Sequence, residues 1–178
     1  MIPMLYIIGP SGSGKTTTLT HLLAGIPATD ILQPIAHTVY TTGAIQLGKR
    51  RGTFSGTDAL SLGVQPKAID FLRTIRPTAL IAEGDRLAND AFFHEAMRQE
   101  YDLHIILLDV DKQESARRRA QREHPMSASF VKGRETKAHN LANLWDHATR
   151  IIDARQGVED VVAALRDEPA IRAARGER

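Results

Sequence analysis

No cysteine occurs in the 178 residues. That absence removes disulfides, thiolate nucleophiles and Cys-ligated zinc or iron–sulfur centres. Aromatic side chains make up only 5% of the chain, with a single Trp, which argues against a broad stacking platform for single-stranded nucleic acid. No apolar run approaches the about 20 residues that a membrane-spanning helix needs, so no membrane association is expected. Met1-Ile2-Pro3-Met4 enters an apolar stretch without a charged leader or cleavage region, and a soluble cytoplasmic protein is expected. The formal charge of +2 is too small to name a partner. A hydrophobic content of 42% suits a soluble globular chain, and the length suits one domain spanning 1–178. No internal repeat is visible, and nothing sets an oligomeric state.

What is present begins at the amino terminus. Leu5-Tyr6-Ile7-Ile8 runs into Gly9-Pro10-Ser11-Gly12-Ser13-Gly14-Lys15-Thr16, and Thr17 to Leu23 then reads as a helix. Strand, G-x-x-x-x-G-K-T loop and helix are the context that makes this pattern a phosphate loop. Its glycines let backbone N–H groups turn inward around a phosphate, and the helix N-terminus adds partial positive charge. Residues Gly9 to Thr17 are thus expected to bind a nucleoside triphosphate. Lys15 is expected to reach its β- and γ-phosphates, and the Thr16 hydroxyl to ligate Mg²⁺. No N-K-x-D guanine-reading motif is present, which favours ATP over GTP.

Further along, His37–Thr42, Thr78–Ala82, Leu103–Leu108 and Thr149–Asp153 read as strands. Between them, helical spacing covers Pro66–Ile75, and Asp90–Tyr101 with Phe92, Phe93, Ala96 and Met97 inward. A polar helix, Lys112–Glu123, opens on Asp111 and Glu114 in the manner of a capping box. A basic one, Phe130–Trp145, carries Lys132, Arg134, Lys137 and His139, and Gly157–Leu165 forms the last amphipathic helix. The tail beyond Pro169 is expected to fray. Gly43 to Gly63 is too glycine-rich and polar for a core, and is read as an acceptor-binding region. Alternating strands and helices imply an α/β parallel sheet covered on both faces. Its ligands gather at the carboxyl ends of the strands, where the phosphate loop, Glu83, Asp85, Asp109 and the 43–63 region all lie. Asp109 is read as a structural or capping residue.

In its amino-terminal loop, its length, and the Arg-rich stretch after the fourth strand, the chain resembles the nucleoside and nucleotide kinase superfamily of P-loop phosphotransferases. The resemblance implies a P-loop NTPase three-layer sandwich with a five-stranded parallel sheet in the order 2-3-1-4-5. It also implies an Arg-rich helical lid at about 111–140, an acceptor region at about 41–65, and ATP with Mg²⁺. Phosphoryl transfer needs a held metal, a group that orients or deprotonates the acceptor, and cations over the moving phosphate. Glu83 and Asp85, two apart at a strand end, can point the same way, one as general base and the other as a water-mediated Mg²⁺ partner; Thr16 and Asp85 are taken as the metal pair. Glu83-Gly84-Asp85-Arg86 also resembles the acidic-Arg motif of deoxynucleoside kinases, in which the Arg neutralises phosphate. Arg118 and Arg122 (i, i+4), like Arg119 and Arg122 (i, i+3), reach one helix face, and the likeness to kinase lids places that face over the γ-phosphate.

The acceptor is the least determined part. Thr53-Phe54-Ser55-Gly56-Thr57-Asp58 offers an aromatic, hydroxyls and a carboxylate to a base or sugar, and Asp58 is an alternative base. Arg50 and Arg51, with Lys49, suit an acceptor phosphate or a nucleic-acid backbone. The resulting expectation is a kinase acting on a nucleoside, nucleotide or similar small acceptor. The alternatives are a kinase for a hydroxymethylated pyrimidine within DNA, since the Tyr40–Leu62 stretch resembles phage-encoded kinases (and would place the protein in a host cytoplasm), and a non-kinase P-loop ATPase.

Overall fold

The computed structural model describes residues 1–50, 55–120 and 127–177, apart from the side chains of 119, 128 and 130. The strands are β1 (Ile2–Ile8), β2 (Ala28–Ile31), β3 (His37–Tyr40), β4 (Ile45–Leu47), β5 (Leu80–Glu83), β6 (Tyr101–Asp109) and β7 (Thr149–Asp153). The helices are α1 (Lys15–Leu22), α2 (Gln65–Thr74), α3 (Asp90–Arg98), α4 (Lys112–Ala120), α5 (Ala128–Leu144), α6 (Val158–Leu165) and α7 (Pro169–Ala174).

Side chains alternate across a strand, and β1 shows what that does here. Met4, Tyr6 and Ile8 enter one core with Phe92, Phe93 and Trp145, while Leu5 and Ile7 enter a second core with Leu19, Leu22 and Val161. All five of these β1 side chains are fully buried. A strand apolar on both faces needs cover on both, and the result is a three-layer α/β sandwich.

Among the described residues the sheet is mixed and has seven strands, in the order β2-β3-β4-β5-β1-β6-β7, not the five all-parallel strands expected. Neighbours from β4 through β7 pair in parallel, whereas β2, β3 and β4 form an antiparallel meander at one edge. The segment read as the second parallel strand, His37–Thr42, is mostly β3 and runs antiparallel. A turn closed by the Gly43 N–H on Tyr40 O (2.9 Å) reverses the chain, and Gly43 takes φ +84 there. The strand beside β5 is the buried Ile45–Leu47, within the stretch judged too polar for a core. Three residues are too few for a periodicity to register.

Two further expectations are corrected at element ends. Helix α3, capped by Asn89 Oδ1 on Phe92 N (3.1 Å), stops at Arg98 because Glu100 takes φ 62 and Tyr101 already belongs to β6. Met97 is consequently 47% exposed rather than inward. The tail expected to fray contains α7, with Ala170, Ile171 and Ala174 buried in the α1-side core. Small side chains let this helix sit close against the sheet, and Glu168 ties its start to His104 (2.9 Å) and Arg150 (2.9 Å).

Asp111 Oδ1 accepts from Glu114 N (2.8 Å) at the start of α4, the predicted cap. The C-terminal part of α5 joins the core through Ala138, Leu141 and Ala142, and Trp145 Nε1 donates to Asp90 Oδ1 (3.1 Å). Among the described residues, no helix is long and apolar enough to cross a membrane.

Candidate active site

The loop between β1 and α1 is shaped for an anion. Gly9, at φ +147, lies so close to Leu108 O and Ser13 Oγ that a Cβ would collide with both. Gly14, at φ 92, starts α1 with no side-chain cap, which leaves its first-turn N–H groups open to a ligand. Ser13 Oγ is buried without a hydrogen-bond partner among the described residues, an orphan that a phosphate oxygen would satisfy. Lys15 Nζ donates to Gly9 O (2.8 Å) and Pro10 O (3.0 Å), the loop's own carbonyls. Desolvation pulls the Lys15 pKa down, opposed by the charges of Glu83, Asp85 and Asp58.

Register places the first carboxylate. Strand β5 pairs with β1 so that Glu83 lies opposite Ile7, directly beneath the loop. Its Oε1 accepts from Thr16 Oγ1 (2.7 Å), and burial pushes its pKa up against the opposing pull of Lys15. Ser55 joins from the chain after β4, with Oγ 2.7 Å from Thr16 Oγ1 and 3.4 Å from Glu83 Oε1.

Asp85 does not share that side. The strand ends at Glu83, and Gly84 turns the chain at φ +105, so the two-residue alternation stops before Asp85. Asp85 Oδ2 instead faces Arg134 Nε (2.9 Å), and Arg134 also donates to Asp58 Oδ2 (2.8 Å). Asp58 Oδ1 accepts from Asp85 N (2.8 Å), and Lys137 Nζ from α5 donates to Asp85 O (2.7 Å). Arg134, Asp58 and Asp85 are all largely buried here, at 17%, 12% and 12% side-chain exposure. Burial raises the Asp85 pKa, and Arg134 opposes that rise. Of the two residues expected as a metal pair, Thr16 has the Glu83 carboxylate against its hydroxyl, whereas Asp85 pairs with Arg134.

Arg118 lies on the opposite flank of the loop. It donates to Glu114 Oε1 (2.6 Å) and Ala154 O (3.0 Å), and with Ser13, Gly14, Thr17 and Gly157 it lines a cavity of about 200 Å³. Arg50 donates to Asp30 Oδ1 (2.9 Å). It lines a second cavity, of about 250 Å³, with Thr16, Gln46, Lys49 and Glu83. Arg86 is half-buried, and its Nε has no hydrogen-bond partner among the described residues. Arg51, Phe54 and Arg122 lie outside the described residues. Asp109 ends β6 on the other side of β1 from Glu83, 3.5 Å from His139.

Two site residues went unassigned from sequence. Arg134 registered only as part of a basic patch, although its i, i+3 spacing to Lys137 puts both on one helix face. Ser55 registered only as an acceptor-side hydroxyl. Among the described residues no group of three or more His, Cys, Asp or Glu can hold a metal. Mg²⁺ does not ask for one: it is commonly held by one or two carboxylates plus substrate phosphates and water. The Thr16 hydroxyl beside the Glu83 carboxylate is a hard-oxygen donor set that fits it.

The P-loop Nucleotide Kinase3 family model matches residues 2–168. Among solved structures, an unliganded sugar kinase from Janibacter sp. HTCC2649 is similar, with a TM-score of 0.51 and 18% identity. The match covers 96% of this chain and 98% of that one, and at that identity it speaks for the fold. No match was found among curated proteins.

Proposed function

The chain belongs to the P-loop Nucleotide Kinase3 family and is an ATP-dependent kinase, and from that premise we propose that it transfers the γ-phosphate of ATP to a hydroxyl or phosphate of a nucleoside, a nucleotide or a similar small acceptor. One observation carries this reading. Thr16, next to Lys15 in sequence, meets the Glu83 carboxylate, while Asp58 and Asp85 converge separately on Arg134, which gives the site a metal-side acid and a separate acid pair.

In this reading the two sides divide the work. The phosphates lie on the loop N–H groups and Lys15, and the donor base enters the cavity beside Arg118, Ala154 and Gly157. Thr16 and Glu83 would hold Mg²⁺, which when bound would supply charge neutralisation for the phosphates. Asp85 receives the proton of the acceptor hydroxyl as that oxygen attacks the γ-phosphorus and the bond to the leaving ADP oxygen breaks. Asp85 is favoured over Asp58 because both Asp58 oxygens already accept hydrogen bonds. It is favoured over Glu83 because Glu83 belongs to the metal side. Arg86, with its unsatisfied Nε, suits an anionic group on the acceptor, which favours a nucleotide over a neutral nucleoside.

The test is transfer of labelled γ-phosphate from ATP to a panel of nucleosides, mononucleotides, sugars and hydroxymethylated DNA. Labelling of a mononucleotide above all others supports the reading. Labelling of DNA alone replaces it with a nucleic-acid kinase, and release of inorganic phosphate alone replaces it with an ATPase.

A further inference from the structure

We propose that Ser55 is a third oxygen of the Mg²⁺ corner, directly or through one bound water, and that it couples the bridge between Lys49 and Gly56 to the bound metal–nucleotide. The inference rests on the kinase reading above and concerns a residue whose sequence neighbourhood pointed to the acceptor.

The oxygens themselves set the geometry. Thr16 Oγ1 lies 2.7 Å from Glu83 Oε1 and 2.7 Å from Ser55 Oγ, and Ser55 Oγ lies 3.4 Å from Glu83 Oε1. Mg²⁺ takes oxygens at about 2.1 Å in an octahedron, which sets neighbouring ligand oxygens about 3 Å apart. The three atoms are thus spaced as three adjacent corners of one such shell. Proton placement agrees. Both hydroxyls direct a proton at Glu83 Oε1, Thr16 at 2.7 Å and Ser55 at 3.4 Å, and each oxygen retains lone pairs. A cation at this corner would meet one oxygen from each of Thr16, Ser55 and Glu83.

The chain around Ser55 is built for close approach. Lys49 and Gly56 form an isolated antiparallel bridge, with Gly56 N on Lys49 O (2.7 Å) and Lys49 N on Gly56 O (3.2 Å). A Cβ on Gly48 would collide with the Gly56 backbone, and one on Gly56, at φ +59, would collide with the Glu83 carboxylate. Glycine at both places lets Gly48 and Gly56 approach each other and lets Gly56 lie against Glu83, next to the Ser55 hydroxyl. Lys49 and Arg50, on the other limb of the bridge, line the cavity of about 250 Å³ that also reaches Thr16 and Glu83. Metal binding at Ser55 is thereby transmitted to the wall of a cavity on the side of the loop away from Arg118.

The test uses AMP-PNP, a non-transferable ATP analogue, and needs no acceptor. Mn²⁺ affinity is measured by electron paramagnetic resonance in the presence of saturating AMP-PNP for the wild type, Ser55→Ala and Ser55→Thr. Removal of an outer-shell partner typically weakens metal affinity by about 10-fold or more. Ser55→Ala is expected to bind Mn²⁺ about 10-fold more weakly, Ser55→Thr within about twofold of the wild type, and both to bind metal-free AMP-PNP as the wild type does. Hydrogen exchange at the Gly56 and Lys49 amides is expected to slow when Mg²⁺ joins AMP-PNP in the wild type but not in Ser55→Ala. Mn²⁺ affinity in Ser55→Ala equal to the wild type overturns the proposal, as does loss of metal-free AMP-PNP binding in that variant, which marks a structural role. A wild type that fails to bind Mn²⁺·AMP-PNP instead overturns the kinase reading beneath it.

Discussion

Thr16 and Glu83, 67 residues apart in sequence, meet in a 2.7 Å hydrogen bond between the first turn of α1 and the end of β5. Parallel pairing of β5 with β1 brings Glu83 level with Ile7, and the phosphate loop returns the chain to the same level at Thr16. The contact thus follows from sheet register, not from local sequence. It stands apart from the second cluster, in which Arg134 pairs with Asp58 and Asp85.

Glu83→Gln keeps the side-chain shape and the hydrogen bond from Thr16 but removes the charge. The expected outcome is a fall in Mg²⁺-dependent kcat/KM of about a hundredfold, the order of several kcal/mol that metal-assisted charge stabilisation supplies. Nucleotide affinity measured in EDTA should stay near the wild-type value. A Mg²⁺ titration of the transfer rate checks it, and wild-type metal dependence in the variant removes Glu83 from the metal side.

Asp85→Asn and Asp58→Asn separate the base from its neighbour. Loss of a general base typically costs 10²- to 10⁴-fold in rate, and that loss is expected in kcat for Asp85→Asn. Asp58→Asn should lose less, since Asp85 keeps its contact with Arg134. Steady-state kinetics of both variants decide the assignment, and the reverse order moves the base to Asp58.

Arg134→Gln leaves two largely buried carboxylates side by side with no cation between them. Removing one partner of a buried ion pair costs about 3 to 5 kcal/mol, and part of that is screened at the 17% exposure of Arg134. A destabilisation of about 3 kcal/mol is expected in urea unfolding, and Arg134→Gln with Asp58→Asn together should recover part of it because the excess charge is gone. Additive losses would show that the three groups are not coupled.

Much of the architecture was readable from the chain, for reasons that stop at identifiable residues. The phosphate loop is a contiguous motif, and β1 and β6 are long apolar runs, so each announced itself locally. Ile45–Leu47 did not, because three buried residues inside a glycine-rich stretch carry no period. Helix α7 did not, because the alanines that let it pack closely look the same as the alanines of a loose tail. At the site, Glu83 and Asp85 were visible as acids, but the turn at Gly84 that parts them was not. Ser55 and Arg134 act across 39 and 76 residues of sequence, to Thr16 and Asp58 respectively, distances at which no spacing rule operates.

Acid titration should report on the start of α4. Hydrogen bonds from Arg117 and Arg118 hold the Glu114 pKa down at about 2, below its ordinary 4.5. A carboxylate with a depressed folded-state pKa stabilises the fold above its unfolded value, and that contribution is lost as pH falls through the folded one. The melting temperature of Glu114→Gln should therefore lie below that of the wild type near neutrality, and the gap should close between pH 4.5 and about 2. A gap that is constant down to pH 2 would contradict the pairing.

On the kinase reading, a triphosphate held at Lys15 is a donor and not merely a ligand. The most direct measurement is transfer of labelled γ-phosphate from ATP to mononucleotides by the wild type and by Lys15→Ala, with folding of the variant checked by circular dichroism. Mg²⁺-dependent label in a mononucleotide is expected with the wild type and none with Lys15→Ala. Label released only as inorganic phosphate, at the same rate whatever acceptor is present, would contradict that reading.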